Sequence, residues 1–331
     1  MEKESIDNVL LFNASEKENS NFTYFTQVSQ VSGALLINEN PTLYVSSIEE
    51  SIAKKYSRIK NIQKINKNFL DSIKNLKSKK IGLDKSSITL NQFKFIQSKL
   101  KKVNFIDISE KISDLRLTKT EEEIEVLKKS CYFADELIRS AVNYISKYKT
   151  EIEVAKAIQK EIIDKNLKPS FPPIIASNIN SKNPHHISND TKLRGFTIID
   201  LGVKYKNYCS DTTRTVFVGK PDKKDLIIYE RVLNAQEDAI SQDLPPKDLD
   251  AKAKKSLGKY FNHSLGHGVG VDIHELPAVS SLAKNKFKEN MVFTIEPGFY
   301  NKSGVRIEDV FLYKNNKKIP LTKNSKNLLI S

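Results

Sequence analysis

Phe196-Thr197-Ile198-Ile199-Asp200-Leu201-Gly202 and Tyr208-Cys209-Ser210-Asp211-Thr212-Thr213-Arg214-Thr215-Val216 decide how this chain is read. Both runs are rich in apolar and β-branched residues and read as strands. Each nevertheless carries an aspartate where an apolar residue would be expected. With Lys204 to Asn207 as the turn, a hairpin centred between Tyr205 and Lys206 sets Asp200 directly opposite Asp211, their Cβ atoms about 4.5–5.5 Å apart. Facing carboxylates repel, and they persist only if one is protonated or a cation lies between them. Two surface aspartates flanking a turn would need no cation, but Asp200 ends an apolar run that reads as buried, so the hairpin points to a cation site.

The same pattern recurs further on. Val292-Phe293-Thr294-Ile295-Glu296 precedes Pro297-Gly298, and Gly304-Val305-Arg306-Ile307-Glu308-Asp309 follows a turn at Asn301 to Ser303. A hairpin centred on Lys302 puts Glu296 opposite Glu308, and Gly304 suits the positive φ that a three-residue loop often requires. Arg306 falls on the same strand face as Glu308, where it could orient a carboxylate. Between the hairpins lies His263-Ser264-Leu265-Gly266-His267-Gly268-Val269-Gly270-Val271-Asp272-Ile273-His274-Glu275-Leu276-Pro277, which holds three of the five histidines. Its glycines let backbone approach a bound group closely. The other two, His185 and His186, follow Asn183-Pro184. Four carboxylates with one imidazole make a hard, oxygen-rich donor set suited to manganese, iron, cobalt or zinc. Their charge balances two divalent ions, which could clamp a water nucleophile between them.

Working outward, Thr120 with Glu123 and Thr150 with Glu153 have the form of capping boxes, each opening an amphipathic helix. Cys131 falls on the apolar stripe of the first and reads as core, and Cys209 reads as a small buried residue; neither has thiolate-metal or disulfide spacing. Upstream, Val9 to Phe12, Ala34 to Ile37, Leu43 to Val45, Ile81 to Leu83 and Val103 to Ile106 read as strands, with lysine-rich helical patterns between strands. A chain of 331 residues accommodates two domains. We expect an α/β domain over residues 1–113 and a second domain over 114–331, α+β overall.

The formal charge of +14 raises the possibility of nucleic-acid binding. The excess is mostly lysine interleaved with Asn and Ile, without a basic-aromatic motif, so a solvated surface and no nucleic-acid partner are expected. No apolar stretch is long enough for a signal peptide or membrane helix, and the expectation is a cytoplasmic protein with no membrane association.

Asp-Leu-Gly at 200–202, Ser-Asp-Thr-Thr-Arg-Thr at 210–215, His-Ser-Leu-Gly-His-Gly-Val-Gly at 263–270, His-Glu-Leu-Pro at 274–277, Thr-Ile-Glu-Pro-Gly at 294–298 and Gly-Val-Arg-Ile-Glu-Asp at 304–309 resemble, in order and spacing, the motifs of the M24 or "pita-bread" peptidases. The resemblance is to their Xaa-Pro aminopeptidase and Xaa-Pro dipeptidase branch, and it covers nearly the whole chain. It implies a smaller creatinase-like α/β domain followed by a catalytic domain, in which helices flank a six-stranded antiparallel pseudo-barrel sheet. It implies Asp200, Asp211, His267, Glu296 and Glu308 as ligands of two divalent ions, manganese first, with Asp211 and Glu308 bridging and a metal-bridging hydroxide as nucleophile. Glu296 would also handle the nucleophile's proton. His185 and His274 would contact the scissile carbonyl, while His263 and Arg306 would line the proline side of the pocket. A homodimer acting on proline-containing peptides is further implied. Asn207 stands where such chains commonly have a turn glycine.

A strict dipeptidase must hold the free carboxylate of proline, for which Arg is best suited. Some dipeptidase relatives place an Arg just after the His-Glu-x-Pro motif, whereas here Pro277 is followed by Ala278, Val279, Ser280 and Ser281. Lys284, Lys286 and Lys288 read as solvated, and Arg306 as already occupied. Removal of the first residue from Xaa-Pro peptides is therefore expected over strict Xaa-Pro dipeptidase (prolidase) activity. A methionine aminopeptidase or a non-catalytic peptide-binding relative fits the motifs less well.

Overall fold

The computed structural model describes residues 6–14, 16–66, 69–76, 79–284 and 286–331. The chain divides into two compact units, Met1–Leu115 and Arg116–Ser331. Among the described residues, no helix is long and apolar enough to cross a membrane.

In the first unit six described strands form one sheet, in the order Asn61–Lys64, Thr42–Val45, Gly33–Ile37, Asn8–Asn13, Lys80–Leu83 and Asn104–Asp107. The strands at 8–13, 33–37 and 42–45 pair antiparallel, and the other pairings are parallel. Alternation along a strand divides its apolar residues between two cores. Leu10, Leu36 and Tyr44 face one cluster with Ile73 and Ile96, while Leu11, Leu35 and Leu43 face the other with Phe22 and Ile112. The strand Asn61–Lys64 has no counterpart in the sequence reading. It is an edge strand on which only Ile62 is even half-buried, so no apolar alternation announces it.

The second unit consists of two halves of the same design. Helices Glu121–Lys147 and Glu151–Asp164 pack on the antiparallel strands Ile174–Ser177, Gly195–Leu201 and Thr212–Val218. Helices Lys223–Ser241 and Pro246–Leu257 pack on Gly266–Gly268, Val292–Ile295 and Asp309–Lys314. Thr120 Oγ1 accepts from Glu123 N at 3.2 Å and Glu123 accepts from Thr120 N at 2.8 Å, closing the capping box that opens the long helix. Cys131 lies fully buried on its apolar stripe. These six central strands are the pita-bread core. Outer strands extend it, and one of them, Leu329–Ile330, runs parallel to Thr212–Val218, so the sheet is not wholly antiparallel.

The first hairpin turns one residue later than the sequence reading has it. Lys204 pairs with Cys209 and Tyr205 with Tyr208, leaving Lys206 and Asn207 as a two-residue turn with φ of 46° and 69°. Two successive positive φ values are those of a type I′ turn, whose twist matches that of the strands, and Asn tolerates them well. The partner of Asp200 is consequently Thr213, and Asp211 lies two residues away from that partner along the strand. The second hairpin keeps its expected register. Gly298 pairs with Arg306 and Ile295 with Asp309, so Glu296 and Glu308 are opposite each other between the two ladders. Gly304 does not take the positive φ expected of it. A Cβ there would lie 2.0 Å from Ser181 O, so the missing side chain serves a close backbone approach.

Lys206 holds a left-handed conformation that costs a non-glycine residue roughly 1 kcal/mol. Lys206→Gly should therefore stabilise the fold by about 0.5–1 kcal/mol in urea unfolding; a loss of stability would contradict the turn as described.

Candidate metal centre and substrate cavity

The half-sheets meet where their carboxylates lie. Glu308 N donates to Thr213 O at 3.1 Å, and Thr213 Oγ1 donates to Glu308 Oε2 at 2.6 Å. Arg214 binds both sides of this junction: its Nη1 donates to Thr213 O at 2.9 Å and Glu308 O at 2.7 Å, and its Nη2 to the fully buried Asp309 at 2.6 Å. Glu308 is thereby placed beside the aspartates of the first half.

Asp211, His267 and Glu308 each offer a ligand atom, and the three atoms lie within 4.8 Å of one another. Glu296 Oε1 is 3.3 Å from His267 Nε2, and Asp211 Oδ2 is 3.6 Å from the same nitrogen. Asp200 Oδ2 accepts from Arg306 Nη2 at 2.5 Å, whereas its Oδ1 is buried with no hydrogen-bond partner among the described residues. The structure thus brings all five expected side chains together, with Asp200 tied to Arg306. Arg306 orients Asp200 rather than Glu308, the carboxylate on its own strand.

Burial pushes the carboxyls of Asp211 and Glu308 well above the usual range, reinforced by Glu308 acting on Asp211 and by Glu296 acting on Glu308. Burial raises Glu296 to about 8, partly offset by Arg306. His267 is pushed down to about 3 by burial and by the neighbouring His274. It is therefore neutral, and Nδ1–H donates to Gly268 O at 3.1 Å. That tautomer leaves the Nε2 lone pair facing oxygens of two carboxyl groups that hold protons in place of a cation. A cation at this point replaces those protons, and an unpartnered Asp200 Oδ1 adds a further oxygen donor. The residues present fit a divalent metal ion.

The remaining expected residues border a cavity of about 840 Å³. His274 stacks edge-on against His267, ring centroids 4.1 Å apart, and burial followed by the charge of His185 holds it below the usual histidine value. His185 and His186 both border the cavity, His185 exposed and His186 bound to Glu151 at 2.7 Å. His263 Nδ1 donates to Ser264 O at 2.8 Å, and its Nε2 accepts from Tyr300 Oη at 2.8 Å. Burial and Arg306 lower it to about 4. Phe171, Pro172, Pro173, Ile273 and Leu282 supply apolar wall. Cys209 is buried, its Sγ 3.5 Å from Val271 O, and burial raises its thiol to about 11, a packing residue rather than a thiolate.

The sequence reading missed Tyr300, which joins His263 to Arg306 by accepting from Arg306 Nη1 at 3.3 Å. Strand alternation could have found it, since Glu296, Gly298 and Tyr300 share a face. A Cβ on Gly298 would lie 2.3 Å from Tyr300 Oη, so the glycine makes room for that hydroxyl. Glu151 and Thr294 were also missed. Thr294 Oγ1 holds Glu296 Oε1 at 3.2 Å, but nothing in its sequence neighbourhood marks it as other than a strand residue.

Buried carboxylates converging with a neutral imidazole at the junction of two half-sheets, beside a deep cavity, define a metal-dependent hydrolase of the pita-bread class. The model of metallopeptidase family M24 matches residues 125–315, and that of the creatinase/prolidase N-terminal domain matches residues 1–118. Among curated proteins, the Xaa-Pro dipeptidase of Pyrococcus horikoshii is 38% identical over 349 residues, covering 99% of this chain and 96% of its own. The Xaa-Pro dipeptidase of Pyrococcus furiosus is 37% identical over 345 residues, covering 99% and 97%. Among solved structures, an X-Pro aminopeptidase from Thermotoga maritima superposes with a TM-score of 0.91 at 30% identity, covering 98% of each chain. The chain belongs to metallopeptidase family M24.

Raised carboxyl values carry a stability cost in the metal-free protein. Glu296 titrates at 4.5 ordinarily and at about 8 in the fold, so its ionisation costs nothing below the first value and increasingly more up to the second. Under chelation, the melting temperature should fall between about pH 5 and about pH 8. Added Mn²⁺ should raise it more at the higher pH, where it no longer competes with protons. A Mn²⁺ effect that is larger at the acid end would overturn this electrostatic account.

Proposed function

We propose that this metallopeptidase hydrolyses the peptide bond preceding proline, with Asp200, Asp211, His267, Glu296 and Glu308 holding two divalent ions. The observation that carries the reading is the converging set of ligand atoms, His267 Nε2 facing the oxygens of Glu296 and Asp211 at 3.3 and 3.6 Å. The hard donor set favours Mn²⁺, with Co²⁺, Zn²⁺ and Fe²⁺ as alternatives. When bound, such ions polarise the scissile carbonyl and make water nucleophilic at neutral pH.

The protein's own groups divide the remaining work. Glu296, a carboxylate at the edge of the ligand set, takes up and returns the nucleophile's proton. His185 and His274, on the cavity lining, donate hydrogen bonds to the oxygen on which charge develops. Arg306 holds Asp200 in place and, with Tyr300, fixes His263 beside the cavity. The apolar wall excludes water from the reacting bond.

The cavity favours peptides longer than a dipeptide. Among the described residues its lining holds no lysine, and its single arginine, Arg306, is committed to Asp200. A product-side proline carboxylate would lack a cation to pair with. A strict dipeptidase is the second reading, supported by relatives named Xaa-Pro dipeptidase at 38% and 37% identity over almost the whole chain. Specificity constants for an Xaa-Pro dipeptide and for the same sequence extended by two residues, at matched metal loading, separate the two. We expect the longer peptide to be cleaved at least as well; strong preference for the dipeptide would decide for the second reading.

Asp211→Asn removes charge at the centre of the cluster, and Glu296→Gln also removes a proton acceptor. Each should lower kcat by roughly 10²-fold or more, with circular dichroism unchanged. Near-normal turnover in either variant would refute the ligand assignment.

A further inference from the structure

His185 belongs to an irregular stretch. Residues 183–192 contain no described helix and no strand longer than an isolated bridge, yet they place His185 and His186 on the cavity lining. Glu151, the first residue of the helix Glu151–Asp164, is fully buried, and its carboxylate is spent entirely on this neighbourhood. Its Oε1 accepts from Ser177 N at 2.7 Å and from Asn180 Nδ2 at 3.0 Å. Its Oε2 accepts from His186 Nε2 at 2.7 Å and from Asn189 N at 3.2 Å. Four donors on one buried carboxylate satisfy most of its acceptor capacity, and all four come from residues 177–189. At the other end of the stretch Ser181 Oγ donates to Asn178 O at 2.5 Å and accepts from Gly304 N at 2.7 Å, so the 3-10 turn Asn178–Lys182 is pinned to the second hairpin.

His186 N donates to Asn183 O at 3.1 Å, closing a turn that carries His185 directly before His186. The hold of Glu151 on the His186 ring therefore also fixes the end of the turn on which His185 sits. We propose that Glu151, acting through His186, is a positioning residue that sets His185 for catalysis. This rests on the role given to His185 above. Glu151 touches no substrate; its contribution is to remove the freedom of a loop whose imidazole must lie within a fraction of an ångström of its working position, where displacement by about 1 Å can cost up to roughly 10²-fold in rate. A charged acceptor suits the task because its hydrogen bonds are the stronger kind and a buried carboxylate would otherwise lack compensation.

The test is a double-mutant cycle in kcat on the Mn²⁺-loaded enzyme with an Xaa-Pro peptide, with metal content and melting temperature measured alongside. His186→Ala and Glu151→Gln should each lower kcat by about 10-fold or more with metal content unchanged, and His185→Ala by about 10²-fold. In the His185→Ala background, His186→Ala should cost less than about 2-fold, because there is no longer an imidazole to position. His186→Gln, which keeps a donor for Glu151, should recover most of the loss caused by His186→Ala. Additive losses, or no rescue by Gln, would overturn the positioning role while leaving His185 in place. Unchanged kcat in His185→Ala would instead remove the catalytic role of His185, and the inference with it.

Discussion

Carboxylates taken out of water close to one another are the constraint on which the rest of the second unit depends. At about 4 Å, two unit charges repel by roughly 4 kcal/mol at an effective dielectric near 20. Here Asp200, Asp211, Glu296 and Glu308 share one buried locality, with Arg306 the arginine on its lining. One guanidinium cannot neutralise four carboxylates. Burial and mutual repulsion raise Asp211, Glu296 and Glu308 together, so that without metal the cluster retains protons. A place where protons are held only for want of a stronger cation is a place where divalent ions bind.

Holding such a cluster open requires rigid surroundings, because the repulsion would otherwise be relieved by movement. The surroundings are mostly hydroxyls and guanidinium groups. Thr213 serves Glu308, Thr294 serves Glu296, and Arg306 joins Asp200 to Tyr300 and Thr213. Arg214 and Asp309 close the junction between the half-sheets, and Gln236 on the helix Lys223–Ser241 donates to Ile295 O, Ile307 O and Asp309. The groups that touch the metal-site carboxylates, Thr213, Thr294 and Arg306, are neutral or cationic, and the charge of Asp309 is paired with Arg214 and Lys326. A similar logic operates around His274, where Glu275 is held by Arg116 and by Lys119 Nζ at 2.7 Å.

Both hairpins were readable because each violates its own pattern. A strand such as Thr-Ile-Ile-Asp or Phe-Thr-Ile-Glu buries an acid, which requires compensation and draws attention to it. Capping boxes marked the helix starts for the same reason, since local hydrogen bonds depend on neighbours in sequence. The first turn was misplaced by one residue because nothing local distinguishes a loop ending at Asn207 from one centred earlier, and the pairing of Asp200 with Thr213 followed from the true turn. The edge strand Asn61–Lys64 escaped notice because its exposed residues record no core.

What the sequence determined by itself was the set of chemical groups and their order: two acidic hairpins, a glycine-spaced histidine segment between them, and the helices that precede each half. Those features rest on short-range spacing, to which the periodicity of helix and strand gives direct access. Only the tertiary structure decided which of those groups face one another. The bridge between Thr213 and Glu308 spans most of a hundred residues of chain, and Arg306 chose Asp200 over the Glu308 beside it on its own strand. Glu151 entered the site from a helix start that reads as routine capping. Such pairings depend on where packed sheets bring distant backbone together, and the register of that packing is written in no single segment.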